Sequence, residues 1–215
     1  MSSFLSSVRQ SGQKQPISKQ WIHTISILAL GVLLGIVSKY LDCVPSNELP
    51  FIINALDVRN FLGRFSLWIF LSVCISVYSR SPMRAAVNVF VFLAGMVASY
   101  YWYSAFVAGF FPWKYAMIWA ALTVLSPLLA SICWYAKGNG MAAMVLSSVI
   151  LAVLFHCAFS YGFLYLDVIS PLDLAVFLLG LILLGRRPRE MALVAAMGIA
   201  FIVILNCLWM GASPF

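Results

Sequence analysis

Few side chains in this chain can do chemistry within an apolar setting, and those few are widely spaced. His156 falls late in an apolar run, next to Cys157. An imidazole there can titrate near neutrality, bind a ligand or relay a proton. As a neutral ring it can equally hydrogen-bond to a neighbouring helix. Cys157 adds no metal site, because successive helical residues point about 100° apart, and the other histidine, His23, belongs to a distant run. Arg64 and Asp173 stand at the edges of apolar runs, where they can pair with each other. Arg64 can otherwise bind an anionic solute or snorkel to headgroups. Asp173 can complete a capping box within Ser170-Pro171-Leu172-Asp173. Asp57 is placed to cap the run that follows it. Asn88 and Asn206 are amides inside apolar runs, which commonly tie helices together for ~1 kcal/mol or less each.

Aromatic residues form the densest cluster. Tyr100-Tyr101-Trp102-Tyr103 is followed by Phe110-Phe111-Pro112-Trp113-Lys114-Tyr115, with Trp119 one turn further on. Tyr161 and Tyr165 fall at a similar depth in a later run. One reading is a belt at the membrane–water interface. The other is a pocket for a flat or cationic small molecule. Four consecutive aromatics sweep the helix circumference, so at least one, Tyr100 or Tyr103, is expected to face the interior. The candidate ligand-binding residues are therefore Arg64, Tyr100, Tyr103, His156 and Asp173. There is no H-E-x-x-H, no P-loop, no paired acidic motif of a prenyl-protease type and no G-x-S-x-G with a histidine partner. No catalytic residue, metal or cofactor is assigned, and an enzyme is the least favoured class.

The elements that must position these groups are transmembrane helices. Hydrophobic residues make up 64% of the chain and charged residues 9%, too little charge to keep a soluble surface wet. Apolar segments at 21–41, 61–79, 82–110, 114–136, 141–165, 170–185 and 190–211 are apolar all round, which fits helices rather than barrel strands. The expected fold is all-α, a polytopic bundle of about seven helices, or six if two segments merge. Residues 1–20 form a tail and 21–215 the bundle, with one long loop at 42–60. The first segment follows a polar stretch and has no small-residue cleavage site after it, so it reads as an uncleaved anchor.

The net charge of +7 is distributed among helix flanks, which excludes a nucleic-acid stripe and points to lipid and topology. Arg9, Lys14, Lys19, Arg80, Arg84, Lys137 and Arg186-Arg187-Pro188-Arg189 share one side, and the acidic residues other than Glu190 fall on the other with Lys39, Arg59, Arg64 and Lys114. That bias places the N-terminus in the cytoplasm and loop 42–60 outside, as expected for the cell membrane of a bacterium. Ser81-Pro82 and Ser170-Pro171 are helix starts. Gly138-Asn139-Gly140 is a break, and Pro127 is expected to kink its helix. Leu49–Leu56, too short to span, is either an interfacial segment or a loop packed on the bundle rim. The five cysteines read as small hydrophobes, with Cys43–Cys207 the one disulfide the topology allows.

Small residues mark faces for close packing: Gly31 and Gly35 on the first helix, and Ala192, Ala196 and Ala200 on the last. The contact is either within the bundle or with a membrane partner subunit. Gly31, Gly35 and loop 42–60 together resemble the substrate-binding S-subunits of bacterial energy-coupling-factor transporters. That resemblance implies a small helical bundle with an outer loop over a solute pocket and a separate energising partner. The family usually has six helices with both termini inside, and the seventh segment here departs from that. The stretch from Ser81-Pro82-Met83-Arg84-Ala85-Ala86 to Tyr100-Tyr101 is also similar to multi-pass bacterial membrane proteins, which implies a location and no activity. Two functions are therefore expected: binding or moving a small solute from the outer side, or serving as a non-catalytic accessory subunit.

Overall fold

The computed structural model describes residues 7–13, 16–162 and 165–212, with side chains through Val203, Ser46 excepted. Its helices are α1 (Ile17–Cys43), α2 (Phe51–Ala55), α3 (Val58–Gly63), α4 (Phe65–Tyr78), α5 (Pro82–Phe106), α6 (Trp113–Trp134), α7 (Gly140–Ala158), α8 (Pro171–Leu183) and α9 (Pro188–Ala212). Among the described residues four helical stretches, Ile17–Cys43, Pro82–Phe106, Trp113–Lys137 and Gly140–Ala158, are long and apolar enough to cross a membrane. Two shorter apolar helices are Phe65–Tyr78 and Pro171–Leu183. The chain thus has the character of a helical membrane protein. Contacts divide it into an N-terminal unit, Ser11–Trp134, and a C-terminal unit made of Tyr135 onward with the residues up to Gln10.

In the N-terminal unit α1 lies along α5. The buried residues of α1 include Thr24, Gly31, Gly35 and Ser38, a helical spacing that makes one stripe. Gly31 rests on the backbone of Phe92, and Gly35 on Met96 and Ser99. Gly95 of α5 returns the contact, and a side chain there would meet the Leu28 carbonyl at 3.1 Å. Ser99 Oγ donates to the Val32 carbonyl at 3.0 Å, across the same seam. Gly31 and Gly35 are therefore occupied within the chain. At one end of the seam Asn88 joins the helices as expected: its Oδ1 accepts from Thr24 Oγ1 at 3.0 Å, and its Nδ2 donates to Ser79 Oγ at 3.3 Å. Arg84 adds a 2.6 Å bond to Thr24 Oγ1. The side chain of Asn206, like that of Cys207, lies outside the described residues.

Several boundaries differ from the sequence reading for local reasons. The expected helix 61–79 is broken, with Arg64 extended between α3 and α4 (φ −86°, ψ 160°). The Leu62 carbonyl freed by the break accepts the Trp68 indole N–H at 2.8 Å. The helix expected to reach residue 110 ends at Phe106, because Gly109 turns the chain at φ +76° and Ser104 bonds the Phe110 carbonyl at 2.8 Å. Helix α6 runs through Pro127. Proline has no N–H to give the Thr123 carbonyl, and Ser126 Oγ supplies that bond at 2.8 Å. In loop 42–60, α2 buries no residue, and Phe51 and Ile52 stand 84% and 69% exposed. Leu49 and Ile53 are half-buried.

The C-terminal unit holds α7, α8 and α9 and a small hairpin that the all-α expectation lacked. Strand β1 (Phe159–Tyr161) pairs antiparallel with β2 (Leu166–Val168), Ser160 opposite Asp167. The segments Phe-Ser-Tyr and Leu-Asp-Val alternate apolar and polar, which is a strand period. So α7 stops at Ala158 rather than 165. The segment expected as a polar tail contributes Val8, 6% exposed, whose carbonyl accepts from Asn139 N–H at 2.8 Å. Ala192, Ala196 and Ala200 are all exposed on α9.

Both expected serine caps are present. Ser81 Oγ accepts from Arg84 N–H at 3.2 Å and Ser170 Oγ from Leu172 N–H at 3.3 Å. Ser81→Ala is expected to lower the unfolding free energy by ~1 kcal/mol and Ser81→Gly by only a few tenths. Detergent-unfolding curves of the two variants measure this, and equal losses would count against a capping role.

Candidate functional site

The site begins with a lysine that the helix cannot extend into water. Lys39 lies on the buried stripe of α1, one turn before its end, and its side chain is 3% exposed. Burying an ammonium is expensive unless it is paired. Asp42, three residues on, brings Oδ2 to 2.7 Å from Nζ. Two aromatic rings complete the surround: Nζ is 4.6 Å from the Phe110 ring centre and 5.2 Å from that of Tyr100. Both lie in cation–π range. The Tyr100 hydroxyl donates to the same Asp42 oxygen at 3.3 Å.

These groups form one wall of a cavity of about 300 Å³ between α1, α4, α5 and α6. Trp68, Tyr101, Tyr115 and Trp119 line the rest. A second cavity of about 170 Å³ lies between α4, α5 and α6 and shares Trp68 and Trp119 with the first. Its other walls are mainly aliphatic, with Val73, Val89 and Leu93 among them. Phe65 stacks on Trp119 at 4.9 Å. The pair of cavities thus offers a charged, hydrogen-bonding end at Lys39 and Asp42, a waist of two indoles, and an apolar end.

Of the five sequence candidates, Arg64, Tyr100 and Tyr103 belong to the N-terminal unit and His156 and Asp173 to the C-terminal unit. Tyr100 lines the cavity, but Tyr103 is not among its lining residues. The aromatic that turns inward is Tyr101, 7% exposed, with its ring 5.1 Å from Tyr100 and 5.5 Å from Phe111. Arg64 reaches Asp57 Oδ2 at 3.3 Å instead of the cavity. Asp57 does not cap α3 through its side chain. It adopts a left-handed backbone (φ 53°) and its carboxylate serves Arg64 and, at 2.7 Å, the Asn60 amide.

His156 and Asp173 belong to the C-terminal unit. Because α7 ends at Ala158, His156 sits in its last turn, exposed, rather than deep in a span. Its Nδ1 is 3.0 Å from the Tyr161 hydroxyl, and the hairpin therefore fixes the ring. Asp173 is 1% exposed in the first turn of α8. Among the described residues no three of histidine, cysteine, aspartate and glutamate gather as metal ligands.

Sequence reasoning missed Lys39, Asp42, Trp68 and Trp119 as a group. The one usable signal was a lysine placed three residues before an aspartate at the end of an apolar run, which a helix brings to one face. On the sequence both stand among the flanking charges that set topology. No family model, curated protein or solved structure matches the chain.

Proposed function

We propose that the chain is a multi-pass membrane protein that binds a small solute in the Lys39–Asp42 cavity. The single observation that carries this is a buried ammonium, ringed by Asp42, Tyr100 and Phe110, on the wall of a space large enough for a ligand of several heavy atoms. A side chain kept charged for packing alone would be better replaced by a hydrophobe of similar volume. The basic flanks support a cytoplasmic N-terminus, seven spans and an outward-facing cavity, in the cell membrane of a bacterium. Exposed Phe51 and Ile52 on α2 suit an interfacial segment. With no nucleotide motif in the sequence, movement of the solute would be driven by a separate partner, as the resemblance to S-subunits implies.

The test is native mass spectrometry of the gently purified protein. A discrete small-molecule adduct is expected, weakened about tenfold or more by Trp119→Ala and by Tyr100→Phe, since each removes one group from the cavity wall. Persistence of the adduct in both variants would remove the cavity from consideration.

The second reading, an accessory subunit of a membrane complex, is supported by the exposed Ala192, Ala196 and Ala200 along α9. A stoichiometric protein partner without an adduct, released by Ala196→Leu, would favour it.

A further inference from the structure

We infer that the solute of the Lys39–Asp42 cavity is an amphiphile, with an uncharged, oxygen-bearing head and an alkyl tail of about six carbons. The inference rests on the solute-binding reading and names the class of that solute. Trp68 and Trp119 line both the Lys39 cavity and the second, apolar one, so the two meet at the indole pair, within the N-terminal unit. Both indoles are held in place, Trp68 by its bond to the Leu62 carbonyl and Trp119 by its stack on Phe65. The first cavity touches α6 at Tyr115 and Trp119, and the second at Trp119, Leu122, Ser126, Leu129 and Cys133. Those five recur every three or four residues, which is one face of α6 over about four turns. The apolar space therefore continues the charged one along the helix.

The two ends ask for different chemistry. At the first, Lys39 and Asp42 cancel in charge at 2.7 Å, so a charged head would compete with one of them for the other. An uncharged head does not. An ammonium has three donors, and among the described residues Lys39 gives one hydrogen bond, to Asp42 Oδ2. The rings of Tyr100 and Phe110 meet it through their faces. A buried ammonium with donors still to give calls for an acceptor oxygen. Hydroxyl, ester and amide oxygens supply one, and a hydroxyl can also donate to Asp42, whose side chain is 48% exposed. The other end offers little to a polar group. Val73, Val89 and Leu93 wall it, and the Ser126 hydroxyl is already given to the Thr123 carbonyl. An apolar cavity of about 150 Å³ stays dry and takes a guest the size of benzene. At about 170 Å³ this one holds about six carbons. Spread over four turns of α6, so small a volume is a slot, which suits an extended chain rather than a ring. A sugar would leave the slot empty, and a hydrocarbon would leave Lys39 without its acceptor. An amphiphile serves both ends.

The experiment uses the full chain in lipid nanodiscs, with monoacylglycerols from acetyl to dodecanoyl added one at a time. Retained probe is read by mass spectrometry against empty nanodiscs, and stability by thermal unfolding. Retention by the protein is expected to rise about fourfold per methylene up to the hexanoyl chain and then level off, while partition into empty nanodiscs keeps rising. Hexanoate and hexylamine are expected to be held about tenfold more weakly than hexanoylglycerol, since each sets a like charge beside Asp42 or Lys39. Ser72→Leu and Cys133→Leu add carbons to the slot from half-buried positions. Each is expected to move the plateau about two carbons shorter, with the unfolding midpoint reporting that the variant is folded. Tyr100→Phe acts at the head and is expected to lower retention of every chain by the same factor. A plateau unmoved in both folded variants, or retention that climbs to the dodecanoyl chain as in empty nanodiscs, would overturn the tail. Equal retention of hexanoate or hexylamine would overturn the head, and retention no greater than in empty nanodiscs would overturn both. The solute-binding reading is judged separately. It survives any of these results if the adduct of the purified protein responds to Tyr100→Phe and Trp119→Ala, and falls if it does not.

Discussion

Gly35→Leu is expected to cost the protein its folded α1–α5 pair. The first added carbon would fall inside the contact distance of the Met96 carbonyl and of Ser99 Oγ, and Gly31 faces the Phe92 carbonyl in the same way. A backbone obstacle cannot rotate away as a side chain can. The helix axes must separate, which also breaks the Ser99–Val32 bond and opens the seam around Gly95. Overpacking ordinarily costs about 1–3 kcal/mol, and a backbone clash with a lost hydrogen bond belongs at or above the top of that range. Against a total stability on the order of 5–15 kcal/mol, the loss shows as a large fall in the thermal midpoint. Gly35→Ala should fall between Gly35→Leu and the unchanged protein. A leucine variant with an unchanged midpoint would mean that the seam is not formed as described.

Asp42→Asn and Lys39→Met should differ sharply, although each removes one half of the same pair. Asparagine leaves the Lys39 ammonium buried with two rings and a neutral amide. Breaking a buried pair costs about 3–5 kcal/mol, reduced here to roughly 2 kcal/mol because the Asp42 side chain is 48% exposed and water screens it. Methionine removes the buried charge itself and is expected to be neutral or slightly stabilising. The double variant should then resemble Lys39→Met alone, a coupling that a double-mutant cycle of unfolding free energies measures directly. Additive losses would show that the pair does not act as a unit. Under the solute-binding reading, all three variants lose the adduct even where stability is kept.

Helical membrane character was legible because it rests on summed composition. Many apolar residues in long runs leave little alternative, and the starts at Ser81-Pro82 and Ser170-Pro171 carry their own local chemistry. The break at Arg64 was not legible. It follows an apolar stretch with only Gly63 as punctuation, and the partner that satisfies the open carbonyl, Trp68, is one that reads as an ordinary apolar residue. The hairpin after Ala158 was hidden similarly, since Phe159–Tyr161 extends an apolar run and its strand period is visible over only three residues. The site was harder still. Lys39 and Asp42 are neighbours in sequence, but Phe110, Trp68 and Trp119 join them only through helix packing. Arg64, His156 and Asp173 were singled out for charge in apolar surroundings, and each found its environment locally or in the other unit.

The shortness of α4 has a consequence for the bilayer around it. Its 14 residues extend about 21 Å at 1.5 Å per residue, against a hydrocarbon thickness of roughly 30 Å. If α4 is one of seven spans, as proposed, a segment that short would meet the lipid with a mismatch of about one-third of the layer. The backbone opened at Arg64 can lie at that depth only where protein or a water-filled recess covers it. The Lys39 cavity is lined by Leu62, Gly63 and Trp68 on this side, and a water-filled cavity there would meet that need. Hydration would then reach below the headgroups on this flank, and the field across the membrane would drop over a thinner barrier here than elsewhere around the protein.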